Sequence, residues 1–357
     1  MPQRSSEIKE PRKEPRVTLK TLAEHLHLTA GTISAALNDS AAARAIPEHT
    51  KRRILEAARE LNYKPNYFAR SLRLQRTYTI GVIAQQIGDP YGAGIISGIE
   101  EYLRNTEYFF LTVIHRHDQR ILQTYSQMLL ARGVEGFITV DTSIKEAPAL
   151  PTVAVAGHRQ VPGVTNLTID HKVAARLALT HLLEYGHREI AFFKGHKHSS
   201  DSKTRWAAIC DVAKELGIHI RPELTVQLET DLATPELGYP AAKQLVAGEH
   251  RFTALFAFND ISAIGAIQAF QEAGLRVPED VSIIGFDDIP LAVIFKPELT
   301  TVSQRLPRMG QIAAKTIIDQ IEKTADYQSE IMVEPELIQR ASSGPMKIHV
   351  ALPKVAS

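Results

Sequence analysis

The apolar positions between Thr18 and Asn38 fall into two short helical registers separated by a break. Leu19, Leu22, Ala23 and Leu26 share one face, because residues three and four apart stack on the same side of a helix. Thr18 stands where its hydroxyl can cap that helix. His27-Leu28 interrupts the register, and Thr29 is placed to cap a second helix whose inward residues are Ile33, Ala36 and Leu37. With small Ala23 at the crossing, the pattern predicts a helix-turn-helix. Ile54, Ala57, Ala58 and Leu61 predict a third amphipathic helix, with Lys51, Arg52, Arg53 and Arg59 interspersed.

From Thr79 onward the period changes. Thr79–Ala84, Phe109–Ile114, Gly136–Val140, Thr152–Val155, Ile190–Phe193, Ala254–Phe258 and Val281–Phe286 read as short apolar strands. Gly94–Arg104, Leu122–Ala131, Val173–Tyr185, Thr204–Leu216 and Ile261–Ala273 read as helices between them. Strands apolar on both faces, spaced by amphipathic helices, predict parallel sheets covered on both sides. Roughly 270 residues of this pattern are long for one sheet and predict two α/β subdomains.

Charge becomes informative once the chain is divided. The net charge is +1, but residues 1–76 hold 15 Lys+Arg against 8 Asp+Glu, and the remainder 26 against 32. A basic head on an acidic body predicts that the head meets a polyanion. For any single cation of the third helix, a solvated face accounts for it as well as a phosphate contact does. The lone cysteine, Cys210, excludes an intramolecular disulfide and fits a reducing compartment. No apolar run approaches about 18 residues, so no membrane span is predicted. The first 16 residues, MPQRSSEIKEPRKEPR, lack the apolar core of a secretory signal and read as a mildly basic tail. The protein is therefore expected in the cytoplasm, without a membrane partner.

The chain resembles the LacI/GalR family of bacterial transcription regulators. The resemblance rests on VTLKTLAEHLHLTAGTISAALN, on the IPEHTKRRILEAARELNYKPN helix and on the ARSLR run, and continues through almost the whole length. It implies an all-α helix-turn-helix DNA-binding head (17–64) after the tail (1–16), then a hinge helix and linker (65–76). It further implies a periplasmic-binding-protein-like α/β effector and dimerisation domain (77–345) of two doubly wound subdomains, followed by a C-terminal tail (346–357). The first subdomain is expected at about 77–165 with 300–325, and the second at about 166–299 with 326–345. The implied partners are double-stranded operator DNA, a small-molecule effector, and further copies of the chain as a homodimer or dimer of dimers. No cofactor is implied.

By the same resemblance the DNA-contacting residues are Thr18, Thr29, Ala30, Gly31, Thr32, Ser34, Ala35, Asn38, Tyr63, Asn66, Ala69 and Leu72. An isolated helix of about eight residues is marginal in water, so the hinge at Asn66–Arg73 needs support to be helical. In the family, paired hinges wedge a leucine into the minor groove; Leu72 holds that position and Ala69 packs beside it. Unstacking costs a few kcal/mol and is offset by the contacts a bent duplex permits. The recognition helix departs from the family pattern. Relatives carry arginine in a T-[VI]-S-R-[VA]-L-N run, whereas this chain reads Thr32-Ile33-Ser34-Ala35-Ala36-Leu37-Asn38. Ala30 and Gly31 replace longer side chains. Alanine offers base edges only a methyl, so shape and minor-groove readout are expected to carry more of the specificity. His27 stands where glycine is common in the turn, and histidine tolerates left-handed backbone better than most residues.

For the effector site the resemblance points to Asp89 and Tyr91 in the Asp-Pro-Tyr loop after the first strand, to Arg205, and to Asn259-Asp260. Ligands of open α/β sheets sit beyond the carboxyl ends of strands, where Asp89, Asn259 and Asp260 fall. Arginine with a carboxylate can clamp a ligand of mixed donors and acceptors, and sugars or sugar derivatives are the expected class. Asp260 is also what a helix N-terminus selects. Asp287, Asp288 and Gln304 are read as structural.

Three other patterns lead nowhere. Gly92-Ala-Gly-Ile-Ile-Ser-Gly98 is one residue too long, and its loop too long, for a dinucleotide fingerprint. His115/His117 and His196/His198 each lack a visible third ligand, so no metal site is expected; His196 and His198 read as a loop at the cleft mouth. Ser199, Ser200 and Ser202 show no nucleophile elbow. The function predicted is a ligand-responsive, sequence-specific DNA-binding regulator of the repressor type. Its rivals are a transporter's solute-binding protein, which has no use for a basic head, and an α/β enzyme, for which no catalytic constellation is present.

Overall fold

Threonine hydroxyls start both helices at the head of the chain. The computed structural model describes residues 17–346 apart from 39, 65, 66, 147, 157, 158, 198 and 200, and omits the side chains of Tyr67 and Phe68. Thr18 Oγ1 accepts from Thr21 N–H at 3.2 Å at the start of α1 (Leu19–Leu26), and the Thr21 hydroxyl returns the bond in a capping box. His27 ends α1 in the left-handed region at φ 56°. Thr29 Oγ1 accepts from Thr32 N–H at 3.1 Å and opens α2 (Ala30–Leu37). Leu22, Ile33 and Ile54 are fully buried where α1, α2 and α3 (Glu48–Glu60) meet. The hinge segment forms α4 (Tyr67–Leu74). Arg73 Nη1 donates to Ser34 Oγ of α2 at 3.1 Å, one source of the support a short helix needs.

The compact units of the chain divide between Thr77 and Tyr78. The second begins with β1 (Thr79–Ala84), α5 (Pro90–Leu103), β2 (Phe109–Ile114), α6 (Gln119–Ala131), β3 (Gly136–Val140), β4 (Thr152–Val155) and β5 (Val164–Ile169). It continues with α7 (His171–Glu184), β6 (Ile190–Lys194), α8 (Ser202–Glu215), β7 (Thr225–Gln227), α9 (Tyr239–Ala247), β8 (Ala254–Phe256), α10 (Asp260–Glu272) and β9 (Ser282–Asp287). The last elements are α11 (Leu291–Ile294), β10 (Thr300–Ser303), α12 (Leu306–Glu322), β11 (Glu330–Val333) and β12 (Glu336–Ile338).

Among the described residues the strands form two six-stranded sheets, β11-β5-β4-β3-β1-β2 and β12-β10-β9-β8-β6-β7. The first is parallel throughout, and in the second only β10 and β12 run antiparallel. Each strand of β1, β3, β4 and β5 is buried along its whole length, as expected of sheets covered by helices on both faces.

The lobe boundaries differ from those expected. β5 stays in the first sheet through Ile169 rather than ending the lobe at 165, and β10 pairs with β9 in the second sheet rather than opening the return to the first. β11 then returns to pair with β5, so 326–345 does not belong to the second lobe as a block. The crossings lie after Ile169, after Ser303 and between Val333 and Glu336. Helix α12 packs on α5 of the first lobe at backbone distance. A Cβ at Gly98 would lie 1.9 Å from the Pro307 carbonyl oxygen, and one at Gly310 would lie 2.0 Å from that of Ile95. Gly98 is thus a packing residue and not part of a phosphate loop.

Candidate functional site

The carboxyl ends of the parallel strands face one another across a cleft between the sheets. After β1 come Gln85, Gln86, Asp89 and Tyr91; Asp141 and Ala156 follow β3 and β4. From the second sheet come His196 after β6, Asp201 and Arg205 at α8, Asp231 and Leu232 after β7, Phe258 and Asn259 after β8, and Asp287 at the end of β9. Asp141, Ala156 and Asp287 have φ of 44°, 56° and 109°, a region that L-residues other than glycine rarely enter. Strain of this kind collects where a side chain must be aimed at a site. The cavity measures about 50 Å³.

Asp89 caps α5, its carboxylate accepting from Tyr91 N–H at 3.2 Å and Gly92 N–H at 3.4 Å. Burial raises its pKa more than those two bonds lower it. Burial also pushes the Tyr91 phenol well above its ordinary range, reinforced by Asp201, Asp141 and Asp287. The Tyr91 hydroxyl is therefore a proton donor, and it is buried with no hydrogen-bond partner among the described residues.

Arg205 is 5% exposed, and its guanidinium stacks 3.8 Å from the Phe286 ring centroid and 4.7 Å from that of Phe258. Nη1 donates to the Phe258 carbonyl and Nη2 to Asp201, both at 2.7 Å. Nε has no partner among the described residues. Asp287 lies near this cation and accepts from Gln304 Nε2 at 2.6 Å, yet burial still holds its carboxyl well above the usual range. Asn259 caps α10 through Ser262 N–H at 2.9 Å while lining the cleft.

Asp260 was expected beside these residues, and it does not line the cavity. It is fully buried behind the sheet, with Oδ2 accepting from Ile289 N–H at 2.9 Å and Oδ1 meeting the Thr301 hydroxyl. A Cβ at Gly285 would lie 2.2 Å from Oδ1, so the absence of a side chain there makes the space Asp260 occupies. Its neighbour Asp287, read as structural, takes the place at the cavity wall. The strand-end rule that selected Asn259 applies equally to Asp287, which closes β9. Neither Asp288 nor Gln304 lines the cavity; Asp288 accepts from Arg340 Nη2 at 2.6 Å, and Gln304 donates to Asp287. His196 lines the cleft as read, while His198 falls outside the described residues.

In the head, Thr29, Ala30, Gly31 and Asn38 are exposed and Thr32 and Ala35 half-buried. Ser34 is not presented to a groove. It is 8% exposed, and its hydroxyl accepts from Arg73 while Asn38 Nδ2 donates to its carbonyl at 2.7 Å. At its helical position it faces inward beside Ile33, which leaves it no outward path. Thr18 is exposed, Tyr63 packs half-buried against the head core, and Asn66 lies outside the described residues. Ala69 is exposed, and Leu72 is 83% exposed rather than buried as a linker leucine would be.

A helix-turn-helix head, a hinge helix and a two-lobed α/β body with a polar cleft define a ligand-responsive transcription regulator. A model of the periplasmic-binding-protein-like domain matches residues 179–343. The HTH-type transcriptional repressor PurR of Haemophilus influenzae is 32% identical over 335 residues, 91% of this chain and 98% of that protein. The Lac repressor dimer bound to operator and the anti-inducer ONPF superposes with a TM-score of 0.80 at 23% identity, over 92% of this chain and 100% of that one. A LacI family regulator from Enterococcus faecium with bound ribose gives 0.65 at 26% identity, over 75% of this chain and all of that one. The chain belongs to the LacI/GalR family of transcription regulators. Relatives of this kind are repressors rather than enzymes, which sets aside both rival readings. No helix among the described residues is long and apolar enough to cross a membrane.

Proposed function

We propose that the chain is a cytoplasmic, homodimeric repressor whose hold on operator DNA is set by a small polyhydroxylated molecule, a sugar or sugar derivative, bound in the cleft. The observation that carries this reading is the pair of buried, unpartnered donors, Tyr91 Oη and Arg205 Nε, in a cavity walled by Asp89, Asp141 and Asp287. Buried polar groups are almost always paired, so orphans of this kind mark where a ligand's own oxygens complete the network. The carboxylates supply acceptors for hydroxyls that donate back. Tyr91, Arg205 and Asn259 are the assigned contacts, with Asp89 and Asp287 as acceptors. The bound ribose of the Enterococcus faecium regulator supports the ligand class. Dimerisation is supported by exposed apolar Leu291, Val293 and Ile294 on α11, the kind of surface a partner copy covers.

A melting-temperature screen of sugars, polyols and nucleobases tests the ligand, since any binder of the folded state raises the transition. A shift from nucleobases alone would replace the class. Sedimentation of wild type and Ile294→Asp tests the dimer. An unchanged sedimentation coefficient in the variant would remove α11 from the interface.

A further inference from the structure

The cleft has a fastening opposite its hinge. The crossings that join the lobes involve β5, β11, β10 and β12, which lie at one edge of each sheet. At the other edge stand β2 and β7. Asp231, which follows β7, reaches across from there. Its Oδ2 accepts from His117 Nε2 at 2.7 Å and from the Gln85 side-chain amide, both groups of the first lobe. Its Oδ1 lies 3.1 Å from His196 Nε2 of its own lobe. Arg116 and His117 both have positive φ, 46° and 61°, in a tight left-handed turn after β2 from which the imidazole meets Asp231. The Asp231 side chain is 19% exposed and that of His196 6%. Burial alone would raise the Asp231 carboxyl, but the bonds from His196 and His117 outweigh it and hold it well below the usual range. Asp231 therefore stays a carboxylate throughout the working pH range.

We propose that Asp231 is a cross-lobe clasp that holds the cleft shut, and that the effector of the preceding section enters by breaking it. The proposal rests on that reading for its ligand, though not for the clasp. Two magnitudes support it. A cavity of about 50 Å³ admits roughly four waters, whereas small-molecule sites span about 300–1,000 Å³. Four strand spacings of about 4.8 Å put the clasp roughly 20 Å from the hinge, so a rotation of about 10° parts its groups by roughly 3.5 Å. The clasp thus senses the first degrees of opening, where a contact near the hinge would not. Asp231 is a positioning residue: it governs access, and the assigned ligand contacts remain those of the cleft wall.

Hydrogen exchange of the full-length protein without ligand tests the clasp directly. Asp231→Asn keeps the shape of the side chain and removes its charge; His117→Gln removes one of its two partners from the other lobe. Each should speed exchange about tenfold or more in both 85–92 and 229–233, the loss expected for one charge-assisted bond. Exchange in β3 and β8 should not change. His196→Gln, which removes the bond to Asp231 within one lobe, should speed 229–233 more than 85–92. Unchanged exchange at 85–92 in both cross-lobe variants would overturn the clasp, and so would acceleration spread through the core strands. Once the melting screen yields a binder, its association with Asp231→Asn should be about tenfold faster than with wild type; equal or slower association would overturn the gating role. A screen that finds no binder sinks the effector reading and leaves the exchange result standing.

Discussion

Replacing Asp260 by asparagine separates a structural carboxyl from a ligand-binding one. Burial is the largest influence on this group and pushes its pKa up to about 7, against an ordinary value of 3.8; the bonds from Thr301 and Ile289 only partly offset it. Three units at 1.36 kcal/mol each amount to on the order of 4 kcal/mol. Below the unfolded pKa both states hold the proton, and the stability it confers is fully present. Between about pH 4 and pH 7 the unfolded chain releases the proton while the folded one keeps it, so stability falls as pH rises and the contribution is lost by pH 7. Asparagine has the same outline: its oxygen can accept from Ile289 N–H, and its amide can donate to the Thr301 hydroxyl. The variant should therefore lack this part of the pH dependence, gaining on the wild type by on the order of 4 kcal/mol between pH 4 and pH 8. Urea unfolding followed by the fluorescence of Trp206, the sole tryptophan, reports on the body alone. Parallel stability curves for the two proteins would refute the buried-carboxyl account. A tenfold loss of effector affinity with unchanged pH dependence would return Asp260 to the ligand site.

Arg205→Ala should lower body stability by about 3–5 kcal/mol, because it removes the cation paired with buried Asp201. Arg205→Lys keeps the charge and loses the Nε donor, and calorimetry should then show effector binding weakened at least tenfold. Leu72→Ala should reduce operator affinity more than non-specific affinity in gel shifts, since only the specific complex gains from a wedge; equal losses would tie Leu72 to folding instead. Ala35→Arg should move the selected base toward guanine at one operator position, and an unchanged selection profile would mean this helix face does not reach the base edges.

Periodicity made much of the fold legible. The strands Thr79–Ala84, Phe109–Ile114, Gly136–Val140 and Thr152–Val155 fall where the apolar runs put them. Of the strands it missed, β7 (TVQ), β11 (EIMV) and β12 (ELI) are short, and β5 (VTNLTI) and β10 (TTVS) are polar in sequence and buried in fact. The hydroxyls of β5 and β10 find partners only in the folded chain: Thr165 with the Gln328 carbonyl, Thr300 with that of Arg340, Thr301 with Asp260. A polar strand can be buried when such partners exist, but the partners lie 40 or more residues away. Two of the three misplaced lobe boundaries fall on these strands, and the third falls on β11. Helix α12 is different. Leu306, Met309, Gly310, Ala313, Ala314 and Ile317 form a regular apolar face that could have been read. At the site, Asp89 and Asn259, chosen for lying beyond a strand end, line the cavity, and Asp260 does not. Asp260 opens α10 and Asp287 ends β9; the space that Gly285 leaves behind β9 admits the Asp260 carboxyl, which no local pattern announces.

The head extends the same point to DNA recognition. Ser34 sits in the run that most resembles the family, yet it is occupied by Arg73 and Asn38. Through that bond the hinge helix and the recognition helix are parts of one network, so ordering α4 also fixes the middle of α2. What α2 leaves outward is Thr29, Ala30, Gly31 and Asn38, with part of Thr32 and Ala35. Nothing in the backbone compels this economy. A Cβ at Gly31 would meet only Thr29 Oγ1, at 3.7 Å, so a longer side chain would fit there without strain. The fold therefore does not require the short side chain at Gly31. With few long donors to spend on base edges in the major groove, discrimination among sites passes to what a duplex costs to bend and to the wedge that bends it. On the proposed reading Leu72, 83% exposed on a helix tied to Ser34, is the residue expected to wedge the duplex. Specificity should accordingly be concentrated at the flexible steps at the operator centre, where a change of a central step that α2 never touches weakens binding as much as a change in either half-site.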